Sequence, residues 1–491
     1  MNANKLLKFL FPATVTVLLL NAIARVKADP DLWGYMAFGR WFWETGKFPY
    51  HDVFSYLPTR PLWVYHEWLT GILFYPLYQQ WGAAGLQLLR YTLFLTTLGF
   101  IYLTARRRGA DVCSAALFGL FVFGLFLMGF SPVRAQAFTY AFFAISLYLL
   151  ESARLTGSYR RLWLLIPLQV LWCNLHGGFL SGLGLIALYA LGEGLARRPL
   201  RPYALTLAAA GLATLINPYG LAYWTYMYAA VTMPRPEIVE WSPLWATFSQ
   251  GLVPAAVFIC ILSPILIITL LAIWARWREV TPILILGVTL AQGLLHVRHL
   301  AFFLILAAAY PANLLSKFLE TWQSRLSLPA GLRTAGRVAA ILLLAVLLLV
   351  GVKRLAESAP LTLPIAALPE GKGLPGSYFP LGGLDRIKAQ GLQGKLLTEF
   401  AWGEYLIWEL YPRCLVGLDG RYETVYSNEL SQKYFDFINA REGWRHFLTA
   451  YPPDLILIDS RRKLCTLLRQ APSWRQIYGD SGCALFVREN Q

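Results

Sequence analysis

DPDLWGYMAFGRWFWETGKFPYHDVFSY, residues 29–56, follows directly on the first apolar segment of the 491-residue chain. It joins two acids at its start to a dense run of Trp, Tyr and Phe and a polar turn. Aromatic rings with polar edges favour the membrane–water boundary. The stretch therefore predicts a loop at a membrane surface, with carboxylates placed where a lipid headgroup would arrive. Outward from it the chain is 57% hydrophobic and 14% charged, with mean hydropathy +0.49, whereas a soluble protein is about 25% charged. This is the composition of a polytopic α-helical membrane protein.

Leu6–Ala24 nearly supplies the roughly 20 apolar residues a crossing needs. Val26-Lys27-Ala28 imitates a signal-peptide cleavage site, but Arg25 and Lys27 crowd it, so an uncleaved first helix is expected. Glu67–Trp81 is short and interrupted by Pro76. If it crossed, Arg106–Arg108 would share a side with Asp29, against the positive-inside rule, so it reads as an interfacial helix. Spans then fall near 83–104, 111–130, 135–152, 161–175, 178–195, 203–216, 252–274, 280–295, 300–317 and 338–353, about eleven crossings with the first helix. On this reading the N-terminus is cytoplasmic. The stretches 27–82, 131–134, 174–178, 217–251, 296–299 and everything after Arg354 are extracytoplasmic. The formal charge of +16 does not point to nucleic acid. After Leu355 there are 15 basic and 15 acidic residues, so the excess lies before that point, most of it in the short loops between spans, as membrane orientation requires.

The expected organisation is a transmembrane domain over 1–353, with 27–82 its first extracytoplasmic loop, a linker over 354–383 and an extracytoplasmic α/β domain over 384–491. In that tail Lys395–Phe400, Cys414–Asp419, Asp454–Asp459, Gln476–Tyr478 and Ala484–Val487 predict strands. Gly403–Leu410 and Asn428–Ala450 predict helices, and the alternation implies a small α/β fold. None of the six cysteines has metal-like spacing, and Cys465–Cys483 is the pairing expected if the tail carries a disulfide.

Asp29-Pro30-Asp31 combines a capping acid, proline at the first helical position and a second acid in the first turn. Asp31, Tyr35 and Phe38 share a helix face, so the carboxylate can take a proton from an attacking hydroxyl. Asp29 and Asp31 together also suit Mg²⁺ or Mn²⁺. His66 and Glu67 open the interfacial helix and are candidate substrate-hydroxyl contacts, while Asp52 reads as a turn residue. Ionisable groups inside or beside spans are costly and usually partnered. Arg90, Arg134 with Gln136, and Arg298 with His299 are therefore candidate substrate contacts, since guanidinium grips phosphate bidentately. His176, in Asn174-Leu175-His176-Gly177-Gly178, reads as a turn residue that can also line an outer cavity. No Walker loop, GxSxG, HExxH or Rossmann GxGxxG is present.

DPDLWGYMAFGRW, DVFSY with WVYHEWL, RAQAF, NLHGGF, NPYG, EWSP, and GEYLIW with LDGR run through nearly the whole chain. Together they resemble a prokaryotic branch of the GT-C glycosyltransferases, of the mannosyltransferase and aminoarabinose-transferase type. Ala135 stands where that branch carries proline, and Gly34 and Tyr35 stand where it commonly has Trp and His. The resemblance implies a polyprenyl-phosphate sugar donor, Asp31 as the catalytic carboxylate with Asp29 second, and Arg134-x-Gln136 at the site. The expected activity is inverting transfer of a hexosyl or pentosyl group to a glycan, lipid or protein acceptor at the outer face, among membrane lipids and without nucleic acid. Two alternatives are a transporter or flippase of a lipid-linked saccharide, which would predict symmetric halves, and a non-catalytic membrane assembly subunit.

Overall fold

The computed structural model describes residues 3–24, 27–122, 133–233, 235, 238–249, 255–325, 329–366 and 378–489. The protein is an integral membrane protein, mostly helical, with a small C-terminal sheet. Among the described residues, Ala3–Ala24, Trp68–Arg107, Val297–Arg325 and Ala330–Glu357 are long and apolar enough to cross a membrane. Val112–Val122, Phe179–Leu195, Ile259–Ala275 and Val280–Leu295 are shorter apolar helices. The expected spans at 135–152, 161–175 and 203–216 correspond to Gln136–Thr156, Leu165–Leu175 and Arg201–Ala213. The ends of the 111–130 and 252–274 spans lie outside the described residues.

Two departures have local causes. The 300–317 span is two helices, Leu300–Ala309 and Ala312–Arg325, interrupted at Tyr310-Pro311 because proline cannot donate the next helical hydrogen bond. Trp68–Arg107 is broken at Gly82, whose φ of 57° and ψ of −147° are accessible essentially to glycine alone. That break falls between the expected interfacial helix and the expected span at 83–104.

The chain divides into two compact units. One contains residues 1–26, 87–218 and 233–362. Here Ala3–Ala24 packs against Ala330–Glu357. Asn21 Nδ2 donates to the Gly351 carbonyl at 2.9 Å, and the bare Cα of Gly351 lets Val17 approach. A buried ionic cluster ties four helices together. Glu151 accepts from Arg154 at 2.7 and 2.9 Å, from Tyr189 at 2.8 Å and from Arg108, while Glu279 accepts from Arg108 at 2.8 Å. Arg108, counted above as an orientation charge, is thus also a structural partner, as is Arg154.

The other unit joins residues 27–86, 219–232 and 363–491. The first loop therefore groups with the tail. Its sheet has the order β2-β1-β3-β5-β4, with β1 Gly394–Thr398, β2 Cys414–Val416, β3 Leu455–Asp459, β4 Trp474–Gly479 and β5 Cys483–Arg488. β1 is parallel to β2 and β3, and β5 is antiparallel to β3 and β4. LILID is buried at every position, as a strand covered on both faces must be. The first loop covers the free edge of β2. Ser55 bridges Val416, and Val416 N donates to the Phe54 carbonyl at 2.9 Å, which removes an exposed sheet edge.

Three tail expectations are corrected. Asn428–Ala450 is two helices, Asn428–Ile438 and Trp444–Ala450, separated at Ala440 and Gly443, whose φ values of 49° and 78° leave the helical region. β2 stops at Val416, because 417–419 turn away to carry site residues. Cys465 and Cys483 are both free thiols, the Cys483 thiol lying against Asp480 and Gly383.

Candidate active site

The helix Pro30–Thr45 starts as its sequence dictates. Asp29 is the cap, accepting the Asp31 N–H at 3.1 Å, Pro30 occupies the first helical position, and Gly46 closes the helix with φ 67°. Asp31 is left in the first turn, half-buried. One turn on, Gly34 N donates to Glu404 Oε2 at 3.1 Å. A β-carbon at position 34 would lie 2.4 Å from that oxygen, so the approach requires glycine. Glu404 belongs to the tail helix Gly403–Leu410 and is 4% exposed. Its Oε1 and the Asp31 Oδ1 lie 2.8 and 3.5 Å from the position a β-carbon would occupy on Gly420, which brings the two carboxyl groups to one place.

Topology explains the convergence. The connection after β1 leads into Glu404, and the connection after β2 supplies Asp419, Gly420 and Arg421. Both lie at the carboxyl ends of parallel strands, where open α/β sheets hold their ligands. Arg421 forms a fork with Asp419, Nε to Oδ1 at 2.8 Å and Nη2 to Oδ2 at 2.6 Å, and it also bonds Asp52. Its guanidinium packs on Phe54 and Trp63 of the first loop, 5.1 and 5.2 Å from the ring centres. Burial alone would lower the Arg421 pKa, but Asp419 and Asp52 outweigh it and hold the group charged, well above its ordinary value. Asp52 is the turn residue its sequence suggested, accepting Ser55 N–H at 2.7 Å, and in addition an ion-pair partner across 369 residues.

The same unit holds His66 and Glu67. His66 stacks on Tyr226 with ring centres 5.6 Å apart, Tyr226 Oη lies 3.2 Å from Nδ1, and Nε2 lies 3.7 Å from Glu67 Oε1. Glu67 is one of the charges felt by Glu404. Burial first, then Asp31 and Asp419, raise the Glu404 pKa well above its ordinary 4.5. Asp29 spends a carboxylate oxygen on its cap, and no three His, Cys, Asp or Glu side chains among the described residues gather to hold a metal ion.

The remaining predicted residues belong to the other unit. Arg235 and Arg298 both lie over Trp241, 4.5 and 4.6 Å from its ring centre. Arg134 Nη1 is 3.4 Å from Glu240 Oε1. His296 Nδ1 is 2.7 Å from the Trp241 carbonyl oxygen, and His299 rings Trp241 at 5.9 Å. Gln136 is buried at the start of its helix. Arg90 is engaged inside the bundle, donating to Gln87 Oε1 and the Ile23 carbonyl, both at 2.8 Å. His176 Nδ1 accepts from Gly178 N–H at 2.9 Å and lies 2.7 Å from Thr139 Oγ1, which makes it a buried turn residue.

Glu404, Asp419, Arg421 and Arg235 were not singled out from the sequence. The available signal for the first three was that GEYLIW and LDGR each put charged residues at or shortly beyond the end of a predicted strand.

Among solved structures the chain is similar to ArnT from Cupriavidus metallidurans, crystallised with undecaprenyl phosphate. The TM-score is 0.52 at 12% sequence identity, over 96% of each chain. No protein-family model matches the chain, and no curated protein matches it in sequence.

Proposed function

We propose, from a chain that has the fold of the GT-C membrane glycosyltransferases, an inverting sugar transfer from a polyprenyl-phosphate carrier to an acceptor at the outer face of the membrane. The observation that carries the reading is Asp31, a half-exposed carboxylate fixed in the first turn of a capped helix and backed by a buried acid from the tail. The acceptor, a glycan, lipid or protein, presents a hydroxyl to Asp31. As its oxygen attacks the anomeric carbon, Asp31 takes the proton. The bond from that carbon to the phosphate oxygen breaks, its electron pair leaves with the polyprenyl phosphate, and the configuration inverts.

The leaving phosphate needs positive charge. Arg298 and Arg235, stacked on Trp241, supply it in this reading. A guanidinium's planar fork of donors matches phosphate bidentately. Arg134 and Gln136 serve the same cluster. Arg90 is the weaker phosphate ligand of those predicted, because its donors already satisfy Gln87 and Ile23. His66 and Glu67 contact acceptor hydroxyls. The N-terminus is cytoplasmic and the tail extracytoplasmic, as the basic loops require.

The test is incubation of purified protein with a panel of radiolabelled polyprenyl-phosphate sugars and membrane extract, followed by NMR of the product's anomeric configuration. Inversion relative to the donor supports the reading. Retention, or no donor consumed across the panel, defeats it and returns the transporter and assembly-subunit alternatives.

A further inference from the structure

Glu404 is a buried carboxyl group with no cation of its own among the described residues. The groups facing it are Asp31 from the Pro30–Thr45 helix, Asp419 and Arg421 from the turn after β2, and Glu67 ahead of the Trp68–Arg107 helix. Arg421 is the cation in that set, and its fork is turned to Asp419 while another donor holds Asp52. Three acids therefore surround Glu404, and the Gly34 amide donates a hydrogen bond to it. An acid so placed is disfavoured as an anion by both burial and like charge.

The two oxygens of Glu404 are distinguishable. Oε2 accepts from Gly34 N–H, which leaves Oε1, on the Gly420 side with Asp31 Oδ1, to carry a proton. Paired carboxyl groups held in different environments divide into one acid and one base. We propose that Glu404 is a positioning residue of the transfer reaction, a neutral carboxylic acid that donates a hydrogen bond from Oε1 toward Asp31 and fixes which Asp31 oxygen takes the acceptor's proton. This rests on Asp31 being the base. Glu404 neither touches the sugar nor changes charge during turnover. Ionised Glu404 would withdraw the donor and set a second negative charge beside the first, so activity falls on the alkaline side.

The test has two independent readouts. In pH profiles of transfer, Glu404→Gln keeps an N–H donor but cannot ionise. It is expected to lower kcat at pH 7 about tenfold, the worth of one weakened hydrogen bond, to leave the KM for lipid donor alone, and to lack the alkaline limb. Glu404→Ala, which removes the donor to Asp31 outright, loses about a hundredfold. An alkaline limb that is unchanged in Glu404→Gln overturns the proposal, as does abolition of transfer at every pH, which would make Glu404 the base. The second readout needs no turnover. Infrared spectra at pH 7 should contain the C=O stretch of a protonated carboxylic acid in wild type and lack it in Glu404→Gln. If both spectra agree, Glu404 is ionised and the proposal fails, even where the sugar-transfer reading stands. If the band is present and no sugar moves, the transfer reading fails by itself.

Discussion

Replacing Arg421 with alanine tests how the first loop is held to the tail. The side chain is buried, 5% exposed, and makes four jobs of one cation: a fork to Asp419, a bond to Asp52, and packing on Phe54 and Trp63. Removing it leaves two buried carboxylates, Asp52 and Asp419, without their shared cation. Breaking a buried ion pair by deleting one member costs about 3–5 kcal/mol, because the remaining charge stays desolvated. For a unit of this size that corresponds to a fall in melting temperature of about 10 °C. Thermal unfolding in detergent, read by intrinsic fluorescence, measures it, since Trp63 lies at the contact. Limited proteolysis adds a local readout, with new cleavage expected between Asp52 and Trp63. The charge argument also predicts rescue. Asp52→Asn and Asp419→Asn placed on top of Arg421→Ala should recover part of the loss, because the repulsion goes with the charges. An Arg421→Ala protein that melts with wild type, or a triple variant less stable than the single one, would refute the reasoning.

Further expectations follow from individual residues. Gly82→Ala forces a side chain into a backbone conformation essentially reserved for glycine and should cost about 1–3 kcal/mol, seen as a lower melting temperature. Arg298→Met should raise the KM for lipid donor without lowering the melting temperature, whereas Arg90→Met, which strands Gln87 and the Ile23 carbonyl, should do the reverse. If Asp29 and Asp31 hold a divalent cation, EDTA should abolish transfer and Mg²⁺ or Mn²⁺ should restore it, whereas transfer unaffected by either would leave Asp31 to act without a metal. Because the Glu404 pKa is raised in the folded protein, its contribution to stability is full below the ordinary 4.5 and is lost as pH rises through the folded value. Melting temperatures of wild type and Glu404→Gln should therefore diverge in favour of the variant as pH increases.

The membrane segments were legible because hydropathy and the sign of the short loops are local properties. Even the interruption between 67–81 and 83–104 could be read from Pro76 and the neighbouring charges, although the residue that makes the break is Gly82. The tail's strands were legible for a similar reason, as short apolar runs between turn residues. Its helix break was not, since Ala440 adopts φ 49° without any preference of alanine for it. The disulfide expectation rested on there being three tail cysteines and failed because spacing says nothing about where thiols point.

The candidate site was half legible. Asp29 and Asp31 announce themselves by the chemistry of helix starts, and His66 and Glu67 lie in the same unit. Glu404 and Arg421 do not announce themselves. Their partners, Gly34 and Asp52, are 370 and 369 residues away. Gly34, a departure from the residue common in the resembling branch, has its reason only in the fold, because any side chain there would strike Glu404.

The most direct measurement is sugar transfer from labelled polyprenyl-phosphate donors by Asp31→Asn against wild type, with melting temperature as the control for folding. Loss of the general base should reduce turnover about a thousandfold, with the variant still folded. Equal turnover in the two proteins would show that Asp31 is only part of a helix start.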